Sequence, residues 1–299
     1  MDIQPPLGLV AGAGQLPLLV ARGARAAGRR LAIVGLRGWA APELRELADV
    51  FAWRGVVRLG GWLRTLRGAG CREAIMVGRV RKADMFALPR WRQWLLYLPD
   101  LTSIRVWYFG TRDKRNHSLL RAVATEMQRQ GVPLIDSTHY CQDALAQPGV
   151  LTPGSPPRRV LDDAEWAWPL LKQVAALDIG QALAVKEREV IAVEAIEGTD
   201  ALIGRAGELC PAGGWTLVKA AAHQQDMRFD VPTIGPDTIE NLNAARAAGL
   251  VIEAGKTLIL DRERTLTLAA RYHIAVIARP SELVPLFPPA EAPHAGPHS

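Results

Sequence analysis

The chain has 299 residues, 49% of them hydrophobic, which is enough to form one large core or two of ordinary size. Its three cysteines are widely spaced and form no CxxC pair, which disfavours a disulfide framework or a structural zinc site and is typical of a reducing cytoplasm. The net charge of +6 favours anionic partners, although an arginine-rich composition without such a partner explains it equally well. We expect neither a signal peptide nor a membrane-spanning segment.

The first half of the sequence alternates between short apolar runs and amphipathic stretches, as in a βαβ fold. Leu7–Ala11 predicts a strand, and the turn Gly12-Ala13-Gly14-Gln15 leads from it into a helix that Gly28 ends. Such a turn places backbone N–H groups where they can bind a phosphate, but a tight turn of purely structural purpose has the same sequence. We predict a Rossmann-like N-terminal domain over residues 1–150.

A basic and aromatic segment lies between Arg79 and Arg121. It contains ten Arg and Lys residues against three Asp, and tryptophans and tyrosines are interleaved among them. Around residues 88–98, apolar and basic side chains alternate as they do in segments that lie on a lipid surface. The same composition is compatible with single-stranded nucleic acid, or with an insertion that packs its tryptophans on the domain and keeps its arginines in water.

The second half begins after a proline-rich stretch. Leu151–Pro157 contains three prolines and predicts a linker over residues 151–161. Short strands then alternate with helices, which predicts a mixed α/β C-terminal catalytic domain over residues 162–280. Here we expect Thr199 to be a helix N-cap and Gly249 to end the helix that begins at Pro236. Residues 281–299 have the composition of a disordered tail.

Two acidic clusters lie near the predicted strand ends of this domain. The first comprises Glu194, Glu197 and Asp200, and the second comprises Asp226 and Asp230. Carboxylates at strand ends cost desolvation energy unless they are paired, hydrogen-bonded or bound to a metal. On adjacent strands, the two clusters would form an oxygen-rich site suited to Mg²⁺ or Mn²⁺.

Cationic groups near these carboxylates are candidates for binding phosphate. Lys219, Arg228 and the helix N-terminus at Thr199 would receive phosphate oxygens. If residues 225–231 are extended, Asp226, Arg228 and Asp230 share one face of the strand. A structural Asp–Arg–Asp ladder explains that face as well as a binding site does.

Several of these motifs together resemble the LpxI-type UDP-2,3-diacylglucosamine pyrophosphatases. The matching runs are Leu9-Val-Ala-Gly-Ala-Gly-Gln-Leu-Pro17, Met76-Val-Gly-Arg-Val80, Asp178-Ile-Gly-Gln-Ala182, Ala192-Val-Glu-Ala-Ile-Glu-Gly-Thr-Asp-Ala201, Val218-Lys219 and Gln225-Asp-Met-Arg-Phe-Asp-Val-Pro-Thr-Ile-Gly-Pro236. The resemblance implies a metal-dependent hydrolase of lipid A biosynthesis that releases UMP and 2,3-diacylglucosamine 1-phosphate (lipid X). It further implies Mg²⁺ as cofactor, a homodimer and a cytoplasmic location, with possible peripheral contact with the inner membrane and no nucleic-acid partner.

The resemblance also implies a set of site residues. The aspartate of its Gln-Asp-x-Arg motif, which is critical in the family, corresponds to Asp226. We predict Asp226, Asp200 and Glu197 as catalytic, and Asp226, Glu194, Glu197 and Asp230 as metal ligands. The predicted substrate-binding residues are Gly12, Gly14, Gln15, Gln181, Thr199, Lys219, Gln225, Arg228 and Thr233.

One departure from the family pattern leaves an alternative open. Ala222-His223-Gln224 stands where the family commonly has Lys-Pro-Gly before Gln-Asp. Without that lysine a phosphate contact is lost. The alternative is a divergent homologue that is weakly active, or that binds a nucleotide or lipid without catalysis.

Overall fold

A computed structural model describes residues 4–80, 98–109, 116–221, 226–228 and 231–281, with the side chains of Phe109, Asn116 and His117 left out. The predictions for Gln225, Asp230, most of the segment 88–98 and the tail after residue 281 lie outside these residues. The chain forms two compact units: residues 1–143 with 226–230, and residues 144–225 with 231–299. Both are α/β, which confirms the predicted fold class.

The first unit is built on a parallel four-stranded sheet. Its strands lie in the order β3-β2-β1-β4, as in a Rossmann-like fold. In chain order the elements are β1 (Leu7–Ala11), α1 (Leu16–Ala26), β2 (Leu31–Leu36), a 3₁₀ turn (Pro42–Arg45), β3 (Val50–Arg54), α2 (Leu59–Gly68), β4 (Ala74–Val77), α3 (Leu101–Phe109) and α4 (Asn116–Arg129). Leu134 adds a single parallel bridge to Ala74 beside β4.

The core of the first unit covers the sheet with helices. Val10 of β1 and Val34 of β2 pack with Trp62 and Leu66 of α2 and with Met127 of α4. The central strands β1 and β2 are buried along their whole length because helices cover a parallel sheet of this kind on both faces. This explains why β1 and β2 are continuous apolar runs rather than alternating ones.

The second unit is built on a mixed six-stranded sheet. Its strands lie in the order β5-β12-β10-β8-β6-β7, with β8, β10 and β12 parallel and β6 antiparallel to β8. In chain order the elements are β5 (Gly149–Val150), α5 (Arg158–Ala176), β6 (Ala182–Lys186), β7 (Glu189–Val193), α6 (Thr199–Leu209), β8 (Thr216–Lys219), β9 (Thr233–Ile234), α7 (Pro236–Ala244), β10 (Gly249–Glu253), β11 (Leu258–Ile259), α8 (Arg262–Arg271) and β12 (Ala275–Arg279). A second 3₁₀ turn, Gln142–Ala144, spans the division between the units.

Two apolar clusters cover the two faces of this sheet. On one face, Trp168 and Leu171 of α5 pack against Leu183, Val218 and Val251. On the other face, side chains of α6, α7 and α8 pack against alternate residues of the same strands, among them Ala184, Leu217 and Leu250. Successive residues of β6 and β8 therefore face opposite sides of the sheet, and helices cover both sides. The second unit is a three-layer αβα arrangement.

Some local predictions differ from the structure. The units divide between residues 143 and 144, whereas the predicted first domain extends to residue 150, and α5 begins at Arg158, inside the predicted linker. Thr199 is the first residue of α6 and Gly198 precedes it as the N-cap. Gly249 opens β10 rather than ending α7. Glycine is needed there for packing, because a Cβ atom would lie 2.4 Å from a methyl carbon of Val160.

Within the described ranges, no helix combines the length and the apolar character that crossing a bilayer requires.

Candidate functional site

The carboxyl ends of β1 and β4 meet where the strand order of the first sheet reverses, which is where open α/β sheets bind ligands. Gly12 follows β1 and Gly78 follows β4, and their backbones are in contact. A Cβ atom on Gly12 would lie 2.9 Å from the carbonyl carbon of Gly78. Ala13 and Arg79 extend this contact as an antiparallel bridge. Gly12 therefore has a packing role. The sequence alone was compatible with this role and with phosphate binding.

Gly14 and Gln15 lie at the start of α1. Gly14 has a φ of +100°, a conformation that favours glycine, and its Cα faces open space. Gln15 is exposed and its side chain makes no capping hydrogen bond to α1. The first backbone N–H groups of α1 thus have no side-chain cap, and the predicted binding of substrate by these two residues stays a prediction.

Asp226 and Arg228 form a bidentate ion pair in a turn of the first unit. Arg228 Nε donates to Asp226 Oδ1 at 2.8 Å, and Arg228 Nη2 donates to Oδ2 at 2.6 Å. The backbone N–H of Arg228 donates to Oδ1 at 3.2 Å. These bonds to the carboxylate raise the pKa of the Arg228 guanidinium above its ordinary value. The extended conformation considered for residues 225–231 is wrong at Met227 and Arg228, which form a turn.

Ser137 holds this turn against the carboxyl end of the first sheet. Both its backbone N–H and its hydroxyl donate to the carbonyl oxygen of Met227, at 3.0 and 2.6 Å. Ser137 follows Leu134, which pairs with the strand next to β1. Asp226 therefore belongs to the same sheet edge as Gly12 and Gly78, although it lies far from them in sequence. Sequence reasoning missed Ser137; the polar run Asp136-Ser137-Thr138 after an apolar stretch was the available signal.

In the second unit, polar side chains lie close together where three neighbouring strands of the sheet begin or end. Since β6 runs antiparallel to β7 and β8, the start of β6 lies beside the ends of both neighbours. Gln181 precedes β6, Glu194 follows β7 and Lys219 ends β8. The first turn of α6, at Thr199, lies at the same edge because Lys219 contacts it directly. Strand order thus brings together residues that are separated by up to 38 positions in sequence.

A chain of hydrogen bonds joins these residues. The Lys219 ammonium donates to Thr199 Oγ1 at 2.7 Å, and the Thr199 hydroxyl pairs with Glu194 Oε1 at 2.7 Å. The backbone N–H of Gln181 donates to Glu194 Oε2 at 3.2 Å. Lys219 is only 8% exposed, and it takes part in none of the ion pairs found among the described residues. A buried ammonium beside the N-terminus of an 11-residue helix favours an anionic ligand.

The other predicted site residues lie apart from this chain of bonds. Glu197 is exposed and faces Arg205 at 3.8 Å, and exposed Asp200 accepts from Asn241 at 3.2 Å. Thr233 begins β9, and its hydroxyl donates to the carbonyl oxygen of Val231 at 3.0 Å. Their predicted catalytic and binding roles gain no support from these contacts.

The predicted metal ligands make other contacts where the structure describes them. Glu194 accepts hydrogen bonds at both oxygens within the second unit, and both oxygens of Asp226 accept from Arg228 in the first. Asp230 lies outside the described residues, so the metal site stays a prediction. Across the residues that the structure describes, no group of three or more His, Cys, Asp and Glu side chains could hold a metal.

The structure also contains a buried carboxylate that sequence reasoning missed. Glu253 ends β10 and is fully buried, with Lys172 Nζ at 2.6 Å from its Oε1. Its position in a continuous apolar run, Leu250-Val-Ile-Glu253, was the only available signal.

Fold and site together define the class: a two-domain α/β protein with a Rossmann-like first domain and polar side chains at the ends of its parallel strands. Residues 6–144 match the family model of the LpxI N-terminal domain, and residues 147–277 match that of the LpxI C-terminal domain. The UDP-2,3-diacylglucosamine pyrophosphatase LpxI of Caulobacter vibrioides is 36% identical over 273 residues, which cover 88% of this chain and 93% of that protein. The chain therefore belongs to the LpxI family, as its motifs predicted.

This membership corrects one part of the expected function. The relative's name gives its activity, a pyrophosphatase, and its substrate, but it mentions no metal. The comparison therefore supports a pyrophosphatase but not the metal-dependent form of the function that was expected from the acidic clusters. That form is not carried forward.

Proposed function

We propose that this chain hydrolyses the pyrophosphate of UDP-2,3-diacylglucosamine to UMP and 2,3-diacylglucosamine 1-phosphate. The observation that carries the proposal is the match to a pyrophosphatase of that name along 88% of the chain and through both domains. In the reaction, the oxygen of water bonds to one phosphorus atom while the anhydride P–O bond breaks. The second phosphate leaves with the bridging oxygen.

Lys219 and Thr199 would neutralise phosphate in this reaction. Thr199 accepts one N–H of the Lys219 ammonium, which leaves two N–H groups for phosphate oxygens. Glu194 fixes the Thr199 hydroxyl and the strand end at Gln181, so it would shape the site rather than bind metal. Charge held in place before the reaction is the largest single contribution to catalysis in many enzymes of this kind.

Asp226 would orient the attacking water. Arg228 donates to both carboxylate oxygens, which fixes the direction in which the carboxylate faces. A carboxylate is a group that can orient an attacking water and accept its proton. The bidentate pair thus positions Asp226 and does not exclude it from the reaction.

UMP release by the purified protein tests the proposal. Wild-type protein should release UMP from UDP-2,3-diacylglucosamine, and Asp226→Asn should lower the rate by about 100-fold or more, because a neutral amide cannot take the proton. Asp237→Asn, an equally small change at an exposed position of α7, is the matched control and should retain activity. Saturable substrate binding without UMP release by the wild type would refute the proposal.

Metal is not part of this proposal. The Mg²⁺ or Mn²⁺ expected from the acidic residues stays a prediction, and rates after EDTA treatment and metal add-back test it. An unchanged rate in EDTA would contradict it.

We further propose that α3 touches the membrane that carries a diacylated substrate. Asp100 anchors the helix by accepting from the backbone N–H groups of Ser103 at 2.9 Å and Gly61 at 3.0 Å. Despite this anchoring, Leu101 is 85% and Tyr108 70% exposed. A fixed helix that presents large apolar side chains, within a basic stretch of sequence, is suited to an anionic lipid surface.

Vesicle binding tests the role of α3. The double variant Leu101→Gln/Tyr108→Gln should bind vesicles of phosphatidylethanolamine and phosphatidylglycerol more weakly, while hydrolysis of detergent-dispersed substrate is retained. Leu177→Gln/Leu209→Gln removes two leucines of similar exposure in the second unit and is the control. Equal vesicle binding by both double variants would dismiss the proposal. Deletion of residues 88–98 tests separately whether that segment contacts lipid, and unchanged vesicle binding would dismiss that role.

A homodimer and a cytoplasmic location complete the proposal. Light scattering during size-exclusion chromatography would detect the dimer directly. The three free thiols agree with a reducing compartment, and fractionation of cells that express the protein tests the location.

A further inference from the structure

Glu253 is a buried charge that the proposed reaction does not use. Its Oε1 accepts from Lys172 Nζ at 2.6 Å and from the Ser281 hydroxyl at 2.7 Å, and Lys256 Nζ lies 3.1 Å away. Its Oε2 accepts from the backbone N–H of Ala221 at 2.7 Å. Three of these donors are side chains, whereas the fourth is main chain that follows β8.

The bond to Ala221 continues the sheet after its backbone ladder has stopped. Lys219, the last residue of β8, pairs in register with Ile252 of β10. After Ile252 the pairing of β10 with β8 ends, whereas its pairing with β12 continues: Ala254 N–H donates to the carbonyl oxygen of Arg279 at 2.8 Å. The Glu253 carboxylate thus supplies the acceptor that the β10 backbone no longer offers to Ala221.

The chain that leaves β8 is therefore held on both sides. On the side of β6, Ala220 N–H donates to the carbonyl oxygen of Gln181 at 3.0 Å. On the side of β10, Ala221 N–H donates to Glu253. The fixed point lies two residues after Lys219 and five residues before Asp226.

Stability is a weak reason to bury this carboxylate. Burial alone would raise the pKa of Glu253, but the hydrogen bonds from Lys172, Ser281 and Ala221 outweigh it, so the pKa is below its ordinary value. The group is thus charged inside the protein, at a desolvation cost that its partners must offset. Apolar residues fill such positions at no such cost, which indicates that the carboxylate serves to fix the geometry of the chain.

We propose that Glu253 is a positioning residue: by holding Ala221 it fixes the end of β8, and with it Lys219. The inference rests on the proposed function, because that function gives Lys219 its role. Glu253 itself touches neither water nor substrate in the reaction.

Three variants separate positioning from stability. Glu253→Met removes the acceptor of Ala221 and keeps the size of the side chain. Lys172→Met removes a countercharge and leaves the acceptor in place. Lys172→Met/Glu253→Gln has no charge at either position, yet its amide oxygen can accept from Ala221 N–H while its NH₂ group faces the Ser281 hydroxyl.

Hydrogen exchange at the Ala221 amide and kcat are the two measurements. In Glu253→Met we expect exchange about 10-fold faster or more, and kcat lower by about 10- to 100-fold after correction for the folded fraction. Lys172→Met should lose thermal stability but keep the protected amide and a kcat within about twofold of wild type. The double variant should recover both the protection and most of the kcat.

The outcomes distinguish this inference from the proposed function. If wild-type protein releases no UMP, the proposed function fails, and exchange at Ala221 alone then decides whether Glu253 holds the strand end. If wild type is active and Glu253→Met keeps its kcat or its protected amide, the inference is overturned. It is equally overturned if kcat in all three variants follows thermal stability.

Discussion

Replacing Lys219 by methionine tests the proposed phosphate site most directly. Lys219→Met preserves the length and apolar stem of the side chain and removes only the ammonium group. The Thr199 hydroxyl keeps its bond to Glu194 Oε1, since that bond does not involve the lysine. We therefore expect β8 and α6 to stay in place while the positive charge at their junction is lost.

The magnitude follows from the number and kind of bonds that are lost. Hydrogen bonds to a charged group are each worth about 1.5–3 kcal/mol, and removing one such bond to phosphate would lower kcat/KM by about 10- to 150-fold. The burial of Lys219, which is 8% exposed, favours the upper part of this range because water cannot replace the ammonium group easily. The folded state also loses the bond from the charged Lys219 to Thr199, which by the same measure is worth about 1.5–3 kcal/mol.

Lys186→Met is the matched control for this assay. Lys186 is the last residue of β6, at the opposite end of this strand from Gln181. Its ammonium donates to the carbonyl oxygen of Gly213 at 2.9 Å. The control makes the same change of charge and a similar loss of hydrogen bonding. Initial rates of UMP release over a range of substrate concentrations give kcat/KM for both variants. If Lys219→Met and Lys186→Met are equally active, Lys219 does not bind phosphate.

Three further predictions concern stability and the residues of the proposed sites. Glu126, whose pKa is lowered to about 2 mainly by its bond to Arg129, should stabilise the fold above pH 4.5, its ordinary pKa, and lose that contribution as pH falls toward about 2. The difference in unfolding free energy between wild type and Glu126→Gln should shrink over that range, and a difference independent of pH would contradict this. Gly12→Ala should destabilise the protein by about 1–3 kcal/mol in urea titrations, because its Cβ would lie 2.9 Å from Gly78, whereas Gly68→Ala meets nothing within 4 Å and should not. Thr199→Val should lower kcat/KM by about 10-fold by breaking the bonds to Lys219 and Glu194, and an unchanged value would remove Thr199 from the site.

The elements of the fold could largely be predicted from local sequence. Continuous apolar runs such as Leu7–Ala11 and Leu31–Leu36 are strands because helices cover both faces of a parallel sheet. The Gly12–Gly14 turn between β1 and α1 was expected for the same local reason. Helix boundaries were less certain: α5 begins at Arg158 because Pro157 precedes it, although the prolines there suggested a linker.

The partners of the charged residues could not be predicted in the same way. A carboxylate near a strand end has the same sequence pattern whether it binds a metal, an arginine or a backbone N–H. The sequence did not show, for example, that Glu194 accepts hydrogen bonds from Gln181 and Thr199. Which of these holds depends on the neighbouring strands, and strand order is not encoded in any single segment.

Sequence alone determined the α/β class, the glycine turn after β1 and the motifs that place the chain in the LpxI family. Only the tertiary structure decided that Asp226 belongs to the first unit, held by Arg228 and Ser137, and that Lys219 meets Thr199 and Glu194 in the second. The reason is physical. Local hydrophobic patterns encode helices and strands, whereas the hydrogen-bond partner of a buried charge is set by which strand ends lie side by side.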